Sequence, residues 1–318
     1  MRIADSLLNK SEEIAFRELE AIANDNALRL FAKPRLSDVI LKEGTYLSQR
    51  TFDFYTRSHI DFVVTDQNSK PILVVEYDGP SHSELQQQER DNIKDDLCTS
   101  AGLGILRITA NHVTKLFRGM SILRWIIEVM ELEKAFYREQ EAGHIPLDEP
   151  FDASFLWVGD RREYPWHLSL SANNAIRKFL DAFPSRDKGL QTITATDTNR
   201  NLRELAFLWA GDQVIWAKTA VRHQNVEFPA YDLLDHLGTC ELHLALSRLQ
   251  RGDARATTGP QLQKILQDFC SRYDAHPSHS SNWGGRAPIS YSWSLASGWN
   301  FSYGHSSLGP DGAERLRV

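Results

Sequence analysis

Cysteine is scarce in this sequence, and the few cysteines lie far apart. The three of them, Cys98, Cys240 and Cys270, are odd in number and show no pairwise spacing typical of a metal site. Such a pattern argues against a disulfide framework and against a cysteine-based metal centre, and it favours a reducing compartment. The sequence therefore predicts a cytoplasmic protein.

Long apolar runs are also lacking. No stretch approaches the roughly 18 to 20 apolar residues that a membrane-spanning helix needs. The first residues, Met1 to Asp5, lead directly into a charged amphipathic pattern over residues 5–24, without the features of a signal peptide. We expect no membrane as a partner.

The sequence also lacks an excess of basic residues. Residues 1–145 contain 18 Lys and Arg against 23 Asp and Glu, and residues 146–318 contain 18 against 19. Domains that bind DNA unaided are strongly basic on at least one face. A metal ion at an acidic site would account for part of the N-terminal excess. Even so, the balance predicts weak intrinsic affinity for nucleic acid, or a partner that delivers the substrate.

The most informative stretch contains two runs of β-branched and aliphatic residues, at 59–64 and 72–79, with turn residues at 66–71. Both have the length and composition of strands buried on two faces. Asp61 lies at the start of the first run, and Glu76 and Asp78 lie at the end of the second. Because Glu76 and Asp78 are two residues apart, they lie on the same face of the strand. Carboxylates beside a buried sheet need a partner or a cation, and oxygen ligands favour Mg²⁺ or Mn²⁺. We therefore expect a divalent metal here.

The order Asp, short hairpin, then Glu-X-Asp closing an apolar strand resembles the PD-(D/E)XK nuclease superfamily. Asp78 stands where the usual lysine would be, which is the form of the branch around the very-short-patch-repair endonucleases. In that branch Gly follows the Asp and a His comes shortly after, as Gly79 and His82 do here. Five ordered blocks look closest to domain-of-unknown-function family 2726; they are residues 7–19, 29–40, 81–82, 88–95 and 101–108.

This resemblance implies a restriction-endonuclease-like core of the α/β (α+β) class, a small mixed sheet flanked by helices, over residues 1–140. A polar stretch with Gly143, Pro146 and Pro150 predicts a linker at 141–150. Residues 151–318 resemble no family and predict a second α+β domain, with hairpins at 202–221 and 291–303.

The resemblance also implies an activity, that of a metal-dependent DNA endonuclease hydrolysing phosphodiester bonds with a Mg²⁺-activated water. Asp61, Glu76 and a helical acid would hold the ion; the acid is Glu13, with the neighbouring Glu12 left open. Lys94 or Arg90 would supply the charge of the missing lysine, and Arg57 and Arg90 would contact nucleic acid. The candidate catalytic residues are Asp61, Glu76, Asp78, His82, Lys94 and Glu13.

Two other functions are compatible with the same residues. The alternative is a catalytically inactive nuclease-fold module that binds nucleic acid or a protein; the missing lysine and the acidic balance favour it, and the retained carboxylates argue against it. In a third interpretation the aromatic C-terminal half docks on a protein partner. The chain would then be the cutting subunit of a defence, repair or mobile-element system.

Overall fold

The structure is a computed structural model and describes residues 3, 5–79, 85–159, 163–183, 188–211, 213–283, 289–294 and 298–303. At 85–87, 188, 276–283, 289–294, 298–300 and 302–303 it describes the main chain alone. Among these residues, no helix combines the length and apolar character needed to cross a bilayer.

The chain divides into two compact units. Unit 1 is Met1–Trp166 with Gln224–Phe228, and unit 2 is His167–His223 with Pro229–Val318. The sequence predicts an earlier boundary, with a linker at 141–150. Gln140 Nε2 donates to the carbonyls of Pro146 (2.7 Å) and Glu149 (2.8 Å), which ties residues of this stretch to the end of the preceding helix.

Unit 1 contains a mixed sheet and the helices around it. Its elements are α1 (Lys10–Asp25), β1 (Arg29–Ala32), α2 (Leu36–Val39), α3 (Gln49–Arg57), β2 (Phe62–Thr65), β3 (Pro71–Tyr77), α4 (Leu85–Ser100), β4 (Gly104–Ile108), α5 (Ala110–Thr114), β5 (Leu116–Phe117), β6 (Met120–Ser121) and α6 (Ile122–Glu141). The main sheet has the order β1-β2-β3-β4; β1 to β3 are antiparallel, and β4 is parallel to β3. The predicted α+β class, a mixed sheet flanked by helices, is confirmed.

Local sequence explains most of these elements. Every residue of β2 is buried, as expected for an apolar strand covered on both faces. The sequence predicts a loop over 42–57, but helix α3 occupies its second half because Ser48 caps the Thr51 N–H (3.2 Å). One core of unit 1 lies between the sheet and α2, α3 and α4; it comprises Leu36, Ile40, Tyr55, Ile60, Val63, Val74, Cys98, Leu103 and Ile105.

A distant segment covers the outer edge of β4. The Ile105 N–H donates to the Asn225 carbonyl (2.9 Å). Gln224 accepts the Arg107 N–H with Oε1 (2.8 Å) and donates to the Arg107 carbonyl with Nε2 (3.1 Å). Unpaired strand edges are sites of unwanted association, so this segment completes unit 1 although it lies far along the chain.

Unit 2 contains an antiparallel sheet with helices on both faces. Its elements are α7 (Leu170–Ala182), β7 (Lys188–Thr196), β8 (Leu202–Ala210), β9 (Gln213–Val221), α8 (Ala230–Gln250), β10 (Thr257–Thr258), α9 (Gly259–Arg272), β11 (Asp274–Trp283), β12 (Ile289–Ser294) and β13 (Gly298–Tyr303). The main sheet has the order β10-β9-β8-β7-β11. Both hairpins expected from the sequence are present, as β8–β9 and as β12–β13.

The two faces of this sheet carry separate cores, as the alternation of side chains along β8 requires. Leu205, Phe207 and Trp209 pack with α9, whereas Ala206 and Leu208 pack with α7 and α8. Glu204 shares the second face. It is 2% exposed, and its Oε1 has no hydrogen-bond partner among the residues that the structure describes.

Stability of unit 2 is therefore expected to fall with rising pH. Burial, with a contribution from the charge of Asp235, raises the pKa of Glu204 well above its ordinary 4.5. Above pH 4.5 the Glu204 carboxyl keeps its proton in the folded state and loses it in the unfolded state. The free energy of unfolding therefore falls by about 1.4 kcal/mol per pH unit until the pH passes the folded-state pKa of Glu204. The melting temperatures of wild type and Glu204→Gln, measured from pH 5 to 8, should diverge, because Glu204→Gln becomes progressively more stable than wild type as the pH rises. Parallel curves would contradict this.

Candidate functional site

Asp61 and Glu76 meet where β2 and β3 pair. The register joins Phe62 to Val75, which sets Asp61 beside Glu76 one position further on. The Asp61 N–H donates to Glu76 Oε1 (3.3 Å), and Asp61 Oδ2 accepts the Tyr77 N–H (2.9 Å). The two carboxylates that the sequence singles out are thus adjacent and held by the main chain.

Lys94 pairs with Glu76 from the buried side. Its Nζ lies 2.6 Å from Glu76 Oε2 and donates to the His59 carbonyl (3.2 Å), and both charged side chains are nearly buried. Burial raises the pKa of Glu76 and the charge of Asp61 adds to this, although Lys94 and Arg107 oppose it. Of the two cations expected from α4, Lys94 reaches the carboxylates, whereas Arg90 is exposed.

A second lysine, Lys33, joins Asp61 to helix α1. Its Nζ lies 2.7 Å from Asp61 Oδ1 and 3.0 Å from Glu12 Oε1. Burial lowers the pKa of Lys33, but the hydrogen bonds and charges of Asp61 and Glu12 outweigh it, so the net shift is upward. Glu12 is therefore the acid of α1 on this side. Glu13 instead accepts a hydrogen bond from Arg17 (3.0 Å) and is 42% exposed.

The choice between Glu12 and Glu13 follows from the helix cap. Asn9 caps α1, and Glu12 closes the capping box by accepting the Asn9 N–H with Oε2 (3.1 Å). That leaves Glu12 Oε1 directed at Lys33. The Asn9–Glu12 spacing is the sequence signal that would have identified Glu12, and it is missed when the helix is begun at residue 5.

Asp78 belongs to a neighbouring cluster around Arg107. Arg107 Nη1 lies 3.7 Å from Asp78 Oδ1 and 3.2 Å from Asp91 Oδ1, and Nη2 lies 2.7 Å from Asp95 Oδ1. Arg107 is paired with Glu76 in the β3–β4 register, and for this reason its charge also acts to lower the pKa of Glu76. A charge inside the apolar run Ile105 to Ile108 was the sequence signal for this buried arginine.

The other predicted site residues are exposed or lie outside the described residues. Arg57 ends α3 and is exposed. His82 falls within 80–84, outside the described residues. Among the residues whose structure is described, no group of three or more His, Cys, Asp or Glu side chains is arranged to hold a metal ion.

Comparison with known proteins matches part of the chain. Residues 4–118 match a family described as "Protein of unknown function (DUF2726)". The resemblance to family 2726 is thereby confirmed for that segment. An uncharacterized protein of Haemophilus influenzae is 25% identical over 127 residues, which are 39% of this chain and 65% of that relative. No solved structure matches.

The segment that matches this family contains Glu12, Lys33, Asp61, Glu76 and Lys94. Asp61 and Glu76 offer only carboxylate oxygens, the donors that Mg²⁺ and Mn²⁺ prefer. Each carboxylate has lone pairs beyond those that accept the present hydrogen bonds. The donor chemistry therefore fits a hard divalent cation, with Asp61 and Glu76 as the pair that would hold it.

Proposed function

We propose that this protein is a metal-dependent DNA endonuclease. The observation that carries the proposal is the Asp61–Glu76 pair at the end of two buried strands, with the Lys94 ammonium 2.6 Å from Glu76. Adjacent carboxylates with a lysine are the groups needed to hold a cation and to counter charge on a phosphate. The nuclease superfamily named above has an Asp followed by an Asp or Glu in the same order; Asp78 occupies its lysine position here, and Lys94 of α4 supplies the positive charge instead.

In this proposal Asp61 and Glu76 hold Mg²⁺ or Mn²⁺. The bound ion would polarise the scissile phosphate and lower the pKa of an attacking water. Tyr77, through its N–H, fixes the Asp61 carboxylate, and Lys94 fixes that of Glu76, so neither has to be ordered when substrate arrives. Lys94 also places a positive charge beside the site, in the role of the lysine that Asp78 replaces.

The test is cleavage of supercoiled plasmid and of single-stranded DNA by the full chain with Mg²⁺ or Mn²⁺. Asp61→Asn and Glu76→Gln should each lower the rate at least about 100-fold, which corresponds to about 2.7 kcal/mol of barrier. Glu20→Gln, an exposed acid on α1, is the matched control and should cut like wild type. Chelation of the metal should abolish cutting.

Absence of both cleavage and metal binding in the wild type would overturn the proposal. Cleavage that survives in both Asp61→Asn and Glu76→Gln would do the same, because it would come from another site or from a contaminant. Each variant is first compared with wild type by circular dichroism, so that loss of activity is not loss of folding.

One observation favours the second candidate, a module that binds without cutting. Asp61, Glu76 and Asp78 all face cations of the chain itself, namely Lys33, Lys94 and Arg107. A self-neutralised site needs no metal for its stability. DNA binding that is equally tight with Mg²⁺ and with chelator, and unaffected by Asp61→Asn, would support this module. A protein partner for the C-terminal half stays a prediction.

A further inference from the structure

Two carboxylate oxygens of unit 1 are directed at one point. Glu12 Oε2 accepts a hydrogen bond from the Asn9 N–H (3.1 Å), and Asp61 Oδ2 accepts one from the Tyr77 N–H (2.9 Å). Each acid is thus anchored by its main-chain contact and directs its other oxygen at Lys33. The point that they share is occupied by Lys33 Nζ, 3.0 Å from Glu12 Oε1 and 2.7 Å from Asp61 Oδ1.

The main chain delivers Lys33 to this point at a cost. The β1–β2 pairing continues past Ala32, and the Lys33 N–H donates to the Asp61 carbonyl (2.9 Å), so the lysine starts beside the acid it contacts. Lys33 has φ +55°, in the left-handed region that favours glycine. A side chain is disfavoured at such a φ.

The two lysines of the site, Lys94 and Lys33, differ in how exposed their side chains are and in how firmly they are held. Lys94 is 11% exposed and is held by Glu76 and by the His59 carbonyl. Lys33 is 32% exposed, more than Asp61 (19%) or Glu12 (14%). Lys33 is thus the most exposed of these three side chains, and its flexible chain can swing into solvent while the anchored oxygens of the acids stay in place.

We propose that Lys33 is a tethered counter-ion that a divalent cation displaces from Asp61 and Glu12, so that Lys33 sets the metal affinity of the site. This inference rests on the proposed function. A divalent ion needs the same oxygens and repels the ammonium. Displacement would free Asp61 Oδ1 and Glu12 Oε1, the two oxygens that Lys33 Nζ now contacts.

The test is calorimetric titration of the full chain with Mn²⁺, which measures metal binding without DNA or cleavage. Lys33→Met should bind Mn²⁺ about tenfold more tightly than wild type, because one competing charge is removed. Lys178→Met, an exposed lysine of unit 2, is the charge-matched control and should equal wild type. Glu12→Gln should bind about tenfold more weakly, whereas Glu13→Gln should bind like wild type.

A second readout is thermal stability. Without metal, Lys33→Met should have a lower melting temperature than wild type, because Asp61 and Glu12 then repel each other. Saturating Mn²⁺ should raise the melting temperature of Lys33→Met by more than it raises the melting temperature of wild type. If Lys33→Met does not fold, Lys33→Gln replaces it in both measurements.

The possible failures are distinguishable. Mn²⁺ affinity of Lys33→Met within twofold of the Lys178→Met control, or weaker, would overturn the role of Lys33 while metal-dependent cleavage could still stand. Absence of Mn²⁺ binding in wild type, Lys33→Met and Lys178→Met alike would overturn the proposed function, and the role of Lys33 with it.

Discussion

Replacing Arg107 by methionine is expected to lower the unfolding free energy of unit 1 by about 3 to 5 kcal/mol. Arg107 is 6% exposed and lies between Asp78, Asp91 and Asp95. Asp78 is itself 8% exposed, so the substitution leaves a buried carboxylate beside two other acids. Breaking a buried ion pair from one side costs more than the pair contributes, because the remaining charge is uncompensated.

Hydrogen exchange at the amides of β3 and β4 measures this loss within unit 1, so that unfolding of unit 2 does not enter. Arg107→Lys keeps the charge but not the planar fork, and it should fall between wild type and Arg107→Met. Arg90→Met removes an exposed arginine of α4 and should change the opening free energy by less than about 0.5 kcal/mol. A loss below about 1 kcal/mol in Arg107→Met would show that Arg107 does not stabilise the sheet.

Gly238→Ala is expected to destabilise unit 2 by about 2 to 3 kcal/mol. Gly238 lies inside helix α8, where alanine would otherwise be favoured by about 1 kcal/mol. A Cβ at this position would lie 1.6 Å from Glu204 Oε1 and 2.8 Å from its Cδ. Because Glu204 is 2% exposed, its carboxyl has no solvent to rotate into, and the helix or the side chain must shift.

A double-mutant cycle separates this clash from any other effect of Gly238→Ala. In a Glu204→Ala background the same substitution should become neutral or stabilising, because the atoms that it meets are gone. Exchange at the amides of α8 gives the opening free energies for all four proteins. An equal penalty in both backgrounds would mean that the strain arises elsewhere.

The strand pair and its carboxylates could be predicted from the amino-acid sequence. Apolar composition, a period of two and the turn at 66–71 are local signals, and they place Asp61 and Glu76 at the ends of neighbouring strands. The spacing of charges along α4 also identified Lys94 and Arg90 as the candidate cations for the site. These inferences succeed because each depends on residues close together in the chain.

The other groups at the site are brought there by the packing of elements that are distant in the sequence. Lys33 contacts Asp61, 28 residues away, because β1 pairs with β2, and no local pattern encodes that register. The cap at Asn9 sets the rotation of α1 and so brings Glu12 rather than Glu13 to Lys33. Lys94 replaces Arg90 at the carboxylates because α4 turns that flank toward β3.

The same limit applies to the buried charges. Glu76 and Asp78 share a period of two, yet Glu76 pairs with Lys94 and Asp78 with Arg107, because a buried charge takes the nearest countercharge that packing provides. Gln224 completes the edge of β4 from 117 residues further on. Sequence fixes local conformation and the residue types of a site, whereas the partners of buried polar groups depend on the packing of distant elements.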